Sequence, residues 1–152
     1  MSVTENFQKL VGMWDGTNKL FMSPSDPVRD SKAVACIGLE ANGKFFKINY
    51  EWSFDEKPHE GLMIFGFGKE TKITSVWVDS FHQSGDFMNC VGSIEGGKIS
   101  VKANYTQPEY SDWAWRTTVE FISENAFEFT MYNVEPSDTE HVAVEAKFER
   151  RK

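Results

Sequence analysis

Basic residues are scarce in this chain: 16 Lys and Arg stand against 23 Asp and Glu, a net charge of −7, and the longest basic run is Arg150-Arg151-Lys152. Phosphate contacts need clustered cations, so nucleic acid is excluded as a principal partner, and an anionic membrane surface is disfavoured for the same reason. Long apolar runs are also missing. The longest low-polarity stretch, Gly61 to Gly68, is far too short to span a bilayer, and the N-terminus lacks the apolar region of a signal peptide, so the expected location is cytoplasmic. Only two cysteines occur, Cys36 and Cys90. That is neither a disulfide framework nor a zinc set, and both read as free core thiols. The three histidines, His59, His82 and His141, stand at no metal-ligand spacing and read as surface residues, so no metal is expected. Gly66-Phe67-Gly68 is followed by neither a helix pattern nor a Lys-Ser/Thr pair, which excludes a phosphate loop. There is no nucleophile elbow and no Ser-His-Asp or Cys-His arrangement, so no residue is assigned a catalytic role.

What the chain has in quantity is aromatic residues, with thirteen Phe and five Trp, and turn signals at a steady interval. Clusters such as Pro24 to Pro27, Asn42-Gly43, Ser84-Gly85, Gly96-Gly97 and Pro136 to Asp138 separate about ten segments rich in β-branched and aromatic residues. Most segments alternate. Phe46, Ile48, Tyr50, Trp52 and Phe54 share one face, as do Ile99, Val101, Ala103 and Tyr105, then Trp113, Trp115, Thr117, Val119 and Phe121, then Val142, Val144, Ala146 and Phe148. A long antiparallel sheet with short connections exposes edges unless it closes, which predicts one domain over residues 1–152, an all-β closed up-and-down barrel of about ten strands. A two-sheet sandwich is the alternative that the same pattern permits. Phe7, Leu10 and Val11 lie at helical spacing behind a possible Ser2–Glu5 capping box, predicting a short N-terminal helix over about residues 3–11, with the barrel over about 12–150. A barrel of that strand number is wider than the eight-stranded case that side chains just fill, so a cavity is expected, lined by part of the aromatic complement.

Three groups of residues are candidates for chemistry. Gly12-Met13-Trp14-Asp15-Gly16 reads as a turn into the first strand with a tryptophan plug at one barrel end. Trp77, Asp79 and Phe81 share a phase, which sets a carboxylate between two aromatic rings; Asp79 is then either a hydrogen-bonded structural group or part of a ligand clamp. Arg150 follows the phase of Phe148 and points inward or to the rim, where it needs an anion from Asp79, Glu145 or a ligand carboxylate. Arg116 lies on the polar phase of its strand and reads as an outer-face residue.

Leu10-Val-Gly-Met-Trp-Asp-Gly16, His59-Glu-Gly-Leu-Met-Ile-Phe-Gly-Phe67, Val76-Trp-Val-Asp-Ser80, Trp115-Arg116-Thr117 and Glu145-Ala-Lys-Phe-Glu-Arg150 occur in an order and spacing that resembles the small bacterial proteins of the DUF1579 family, a domain of unknown function. The resemblance covers nearly the whole chain. It implies a lipocalin-like (calycin) barrel around a small-molecule cavity, with no assigned activity. It points to Gly12, Trp14, Gly16, Gly61, Gly66, Trp77, Asp79, Arg116, Glu145 and Arg150 as motif positions. The sequence departs from the pattern at Phe67 and Phe148, where tyrosine is usual.

The expectation is a non-enzymatic binding barrel for a small apolar or amphipathic ligand, one that bears a carboxylate if an arginine meets it. Its ligand-binding residues would be Tyr50, Trp77, Asp79, Phe81, Trp115, Arg116, Glu145 and Arg150. No cofactor is expected on this reading. Two others stay open. A haem-binding, nitrobindin-like barrel would use His141 as the axial ligand, and an enzyme would use interior carboxylates, Asp79 with His59 or Glu145. Pairing of two barrels into a homodimer is a further expectation.

Overall fold

The computed structural model describes residues 3–152. Ser2 of the expected capping box lies outside the described residues. The helix is shorter than the spacing predicts, a single turn, α1, at Glu5–Gln8, with Thr4 at its N-cap and no side-chain cap bond. Phe7 is buried from it, edge-on to Phe46 at 5.3 Å.

Ten strands follow: β1 Gly12–Leu20, β2 Arg29–Glu40, β3 Phe45–Phe54, β4 Lys57–Phe67, β5 Lys72–Asp79, β6 Met88–Glu95, β7 Lys98–Asn104, β8 Ala114–Ser123, β9 Ala126–Val134 and β10 Glu140–Arg150. Each pairs with its sequence neighbours, and β1 pairs with β10, so the sheet is a closed up-and-down barrel and not a sandwich. The connections fall on the turn clusters of the sequence. With an even number of strands, both chain ends lie at one end of the barrel, the base, where α1 sits. The loops after β1, β3, β5, β7 and β9 form the other end, the mouth.

The aromatic complement fills this barrel. Phe46, Ile48, Met63, Phe65, Ile73, Val119, Phe127 and Ala146 are all 0% exposed, so no water-sized space reaches them. The expectation of a cavity enclosed along the barrel is corrected. Aromatic rings from opposite walls meet each other, as Tyr50 and Phe129 do at 5.1 Å, and take up the extra width that ten strands create.

Glycine permits two of the close approaches. A Cβ on Gly16 would stand 2.1 Å from the carbonyl oxygen of Lys147 on β10, so this position closes the β1–β10 seam only as glycine. Gly12, at φ +140°, turns the chain from the helix into β1, and Trp14 fills the base. Its ring is fully buried edge-on to Phe127, and its Nε1 donates to the carbonyl of Leu10 at 2.9 Å. The plug expected of the Gly-x-Trp-x-Gly stretch is present.

Two expectations about which side chains face inward are corrected. A bulge between Val142 and Val144 reverses the alternation of β10, so Val142, read as inward, is exposed beside Tyr132. Cys36, read as a core thiol, lies on the exposed phase of β2; Cys90 is buried, and burial pushes its thiol up to about 11.

Candidate functional site at the barrel mouth

The mouth is organised by one cross-strand row. Tyr50 on β3 pairs with Gly61 on β4, which pairs with Asp79 on β5. Inward residues of such a row are normally held apart by the side chain between them. Here the middle position has none: a Cβ on Gly61 would stand 2.2 Å from the Tyr50 hydroxyl, so the tyrosine ring lies across β4 and reaches Asp79. The Tyr50 hydroxyl donates to Asp79 Oδ2 at 2.7 Å and accepts from Trp77 Nε1 at 2.9 Å. Trp52 Nε1 also donates to Oδ2, at 3.3 Å. The other carboxylate oxygen, Oδ1, accepts the backbone N–H groups of Phe81 and His82 at 2.8 and 3.0 Å, folding the chain back at the end of β5. Asp79 is 4% exposed and carries two donors on each oxygen, the satisfied state that a buried carboxylate requires. Burial and the Asp79 charge hold the Tyr50 hydroxyl well above its ordinary range, so it stays a neutral donor.

That turn carries His82 inward. Its ring packs against Trp77 at 5.7 Å, Trp115 at 5.3 Å and Trp52 at 5.8 Å, and so it is not the surface residue that its place in a turn suggested. Burial lowers its pKa; the Asp79 charge opposes this and His59 adds to it. Trp77 and Trp115 stack in parallel at 5.2 Å and 8°. Above them a cavity of about 460 Å³ opens between the β5–β6 and β7–β8 loops, walled by Trp77, His82, Gln83, Phe87, Tyr105 and Trp115. Tyr105 donates to Asn133 Oδ1 at 2.8 Å, and burial pushes its hydroxyl up to about 12. No lysine or arginine lines this cavity.

Among the described residues, buried side-chain atoms without a hydrogen-bond partner are His82 Nε2, Gln83 Oε1, Trp115 Nε1 and Thr117 Oγ1. Three of these four residues line the mouth cavity. Gln83 Nε2 donates to the carbonyls of Trp77 and Asp86, which orients the amide and leaves its oxygen as the free atom.

Of the expected ligand-binding residues, Trp77 and Trp115 line the cavity, and Tyr50 and Asp79 form the buried floor that positions Trp77. Phe81 turns aside to pack on Trp52, Phe54 and His59. The charged candidates lie elsewhere. Arg150 is at the base, over Trp14 at 4.5 Å, with its guanidinium donating to the backbone carbonyls of Lys9, Val11 and Glu124. Arg116 is on the outer face, paired with Glu140 and lying over Tyr132 at 4.3 Å. Glu145 is also outside, 3.7 Å from Lys147. The readings that needed Arg150 or Arg116 beside a ligand anion, or Glu145 beside Asp79, are corrected. His59 shares a hydrogen bond with Ser80 Oγ at 2.9 Å and makes none to Asp79. His141 stands at the rim opposite Asn133, its Nε2 taken by Glu135 at 2.6 Å, outside the cavity lining. His82, Gln83 and the polar role of Trp52 were not anticipated.

A wider hollow of about 720 Å³ lies against the outer face, along the row Met13, Cys36, Asn49, Leu62 and Val78, with Glu51 and Glu60 beside it. It is larger, and its lining, which also includes Tyr50, Asp79, Gln83 and Asp86, contains one aromatic residue, Tyr50, where the mouth cavity has a stacked tryptophan pair.

Barrel, base plug and one-ended cavity define a lipocalin-like antiparallel β-barrel. The chain belongs to the DUF1579 family, described as a protein of unknown function, whose model matches residues 2–150. Its fold is similar to the crystal structure of Rv2717c from M. tuberculosis, at TM-score 0.69 and 13% identity, covering 99% of this chain and 100% of that one. It is also similar to an S-type phycobiliprotein lyase, CPES from Guillardia theta, at TM-score 0.64 and 12% identity over 100% and 94% of the two chains. A redesigned β-barrel matches at TM-score 0.53 and 10% identity, covering both chains fully. The sequence matches no curated protein. No helix among the described residues is long and apolar enough to cross a membrane.

Proposed function

We propose that this protein is a non-enzymatic binding barrel that holds a small, largely apolar molecule in its mouth. The observation that carries this reading is the 460 Å³ cavity seated on the Trp77–Trp115 stack, a volume in the usual range for small-molecule sites. The packed interior beneath it favours a compact ligand over an extended acyl chain. The absence of lysine and arginine from the lining argues for a ligand without a carboxylate. Asp79 supports a binding role over catalysis, because its oxygens are saturated by four donors and leave no lone pair directed at the cavity for proton transfer to a substrate.

The test is tryptophan fluorescence, since two of the indoles form the cavity wall. Titration with 1-aminoanthracene is expected to give saturable quenching, whereas oleate competes weakly. Ala103 lines the same cavity on β7, outside the Asp79 network, and Ala103→Phe is expected to fill it and abolish the quenching. An unaltered titration in that variant would place the ligand elsewhere and defeat the reading.

A further inference from the structure

The unpartnered atoms of the cavity wall carry a second message. A buried polar atom without a partner costs stability, and native structures keep few of them. Trp115 Nε1 only donates, Gln83 Oε1 only accepts, and His82 Nε2 does either according to tautomer. All three belong to residues of one cavity wall, beside two parallel indole rings. Asp86 is the one charged side chain of the lining, and the chain as a whole carries −7, which disfavours an anion.

We infer that the mouth takes a neutral, planar heteroaromatic ring whose edge presents a hydrogen-bond donor next to an acceptor, the arrangement found on purine-like rings. This rests on the binding reading above and specifies its ligand class. The ring face packs on the aromatic wall. Its N–H meets Gln83 Oε1, its carbonyl or ring nitrogen meets the Trp115 indole N–H, and the His82 imidazole adapts its tautomer to whichever atom it faces. A ring lacking the N–H leaves the glutamine oxygen buried and unpaired.

Theophylline and caffeine isolate that term. They share one ring system and one carbonyl edge, but theophylline carries an N–H beside the carbonyl where caffeine carries a methyl group. With both measured by tryptophan quenching on the full chain, theophylline is expected to bind about tenfold or more tighter. Gln83→Met is expected to erase that preference, whereas Trp115→Phe weakens both ligands and leaves it. Retained 1-aminoanthracene binding in each variant reports that the cavity is intact. If 1-aminoanthracene binds while the two xanthines bind equally, or not at all, the ligand class is wrong and the cavity reading stands. If 1-aminoanthracene fails as well, both readings fall.

Discussion

Tyr50→Phe deletes one oxygen from the floor of the mouth and tests how the site is held. The hydroxyl donates to Asp79 at 2.7 Å and accepts from Trp77 Nε1 at 2.9 Å, in a place only 4% exposed. Losing a hydrogen bond to a carboxylate costs about 1.5–3 kcal/mol, and leaving the indole N–H without an acceptor costs about 1–3 kcal/mol. Asp79 keeps its other donors, and partial relaxation recovers some of this, so about 3 kcal/mol is the expected net loss. For a chain of this size that is a fall of about 6–12 °C in Tm by circular dichroism, with a matching fall in urea midpoint. The coupling is tested by a cycle with Trp77→Phe. Once Tyr50 is phenylalanine, the Trp77 N–H has no partner to lose, so Trp77→Phe should cost about 1 kcal/mol less in that background than in the native chain. The cycle cancels the altered stacking on Trp115, which is common to both backgrounds. A Tyr50→Phe variant less than about 1 kcal/mol below the native chain, or strictly additive losses, would refute the linked Asp79–Tyr50–Trp77 network.

Gly61→Ala places a methyl group 2.2 Å from the Tyr50 hydroxyl and should cost about 3 kcal/mol or more, because the ring is trapped against Phe129; urea unfolding reads the loss, and Tyr50→Ala in the same chain should recover part of it. Arg150→Lys keeps the charge but cannot reach the carbonyls of Lys9, Val11 and Glu124 together, so the helix turn should loosen and amide exchange over residues 5–12 should accelerate, while mouth binding of 1-aminoanthracene is unchanged. The pH dependence has two limbs. His82 has a lowered pKa in the folded chain, so below about 6.5 the unfolded chain binds more protons and stability falls with falling pH, a limb that His82→Gln should flatten. Cys90 and Tyr105, raised to about 11 and about 12, and Tyr50, also raised, hold their protons in the fold, so stability falls as pH rises past the unfolded-state values of about 8.5 and 10.

Period-two alternation carries the barrel in the sequence, because an inward side chain of a closed sheet is buried whatever its neighbours do, and the turn clusters mark each strand end. Depth along the barrel axis is less legible. Arg150 follows the inward phase of Phe148, yet phase does not say whether β10 ends at the mouth or the base. Strand parity does: after ten strands the chain is back beside α1, which places Arg150 over Trp14. The bulge in β10 left no sequence signal strong enough to keep Val142 off the inward face. His82 was missed because its burial depends on a turn that the Asp79 carboxylate makes through two backbone N–H groups. An aspartate at a strand end, followed by Ser80, Phe81 and His82, is the local cue for such a turn, and Gly61 opposite Tyr50 becomes visible only once the register is known.

The two ends of the barrel contain the same kinds of group in different states. At the base, the Trp14 indole N–H and the Arg150 guanidinium find backbone acceptors, and nothing polar is left over among them. Trp52 and Trp77 likewise donate, to Asp79 and Tyr50. Of the four buried tryptophans, Trp115 alone lacks an acceptor, and it stands at the cavity. The loop tips above it leave Phe87 70% and Tyr110 55% exposed, whereas at the base Phe7, Trp14 and Phe127 are buried and Phe45, at the start of β3, is 39% exposed. Unpaired buried polar atoms and exposed aromatic rings both oppose stability, and neither has a role in closing the barrel. Random imperfection would scatter such features over both ends. Among the described residues, three of the four unpaired atoms and the two most exposed aromatic rings lie around one cavity, which is the arrangement that the proposed binding role predicts.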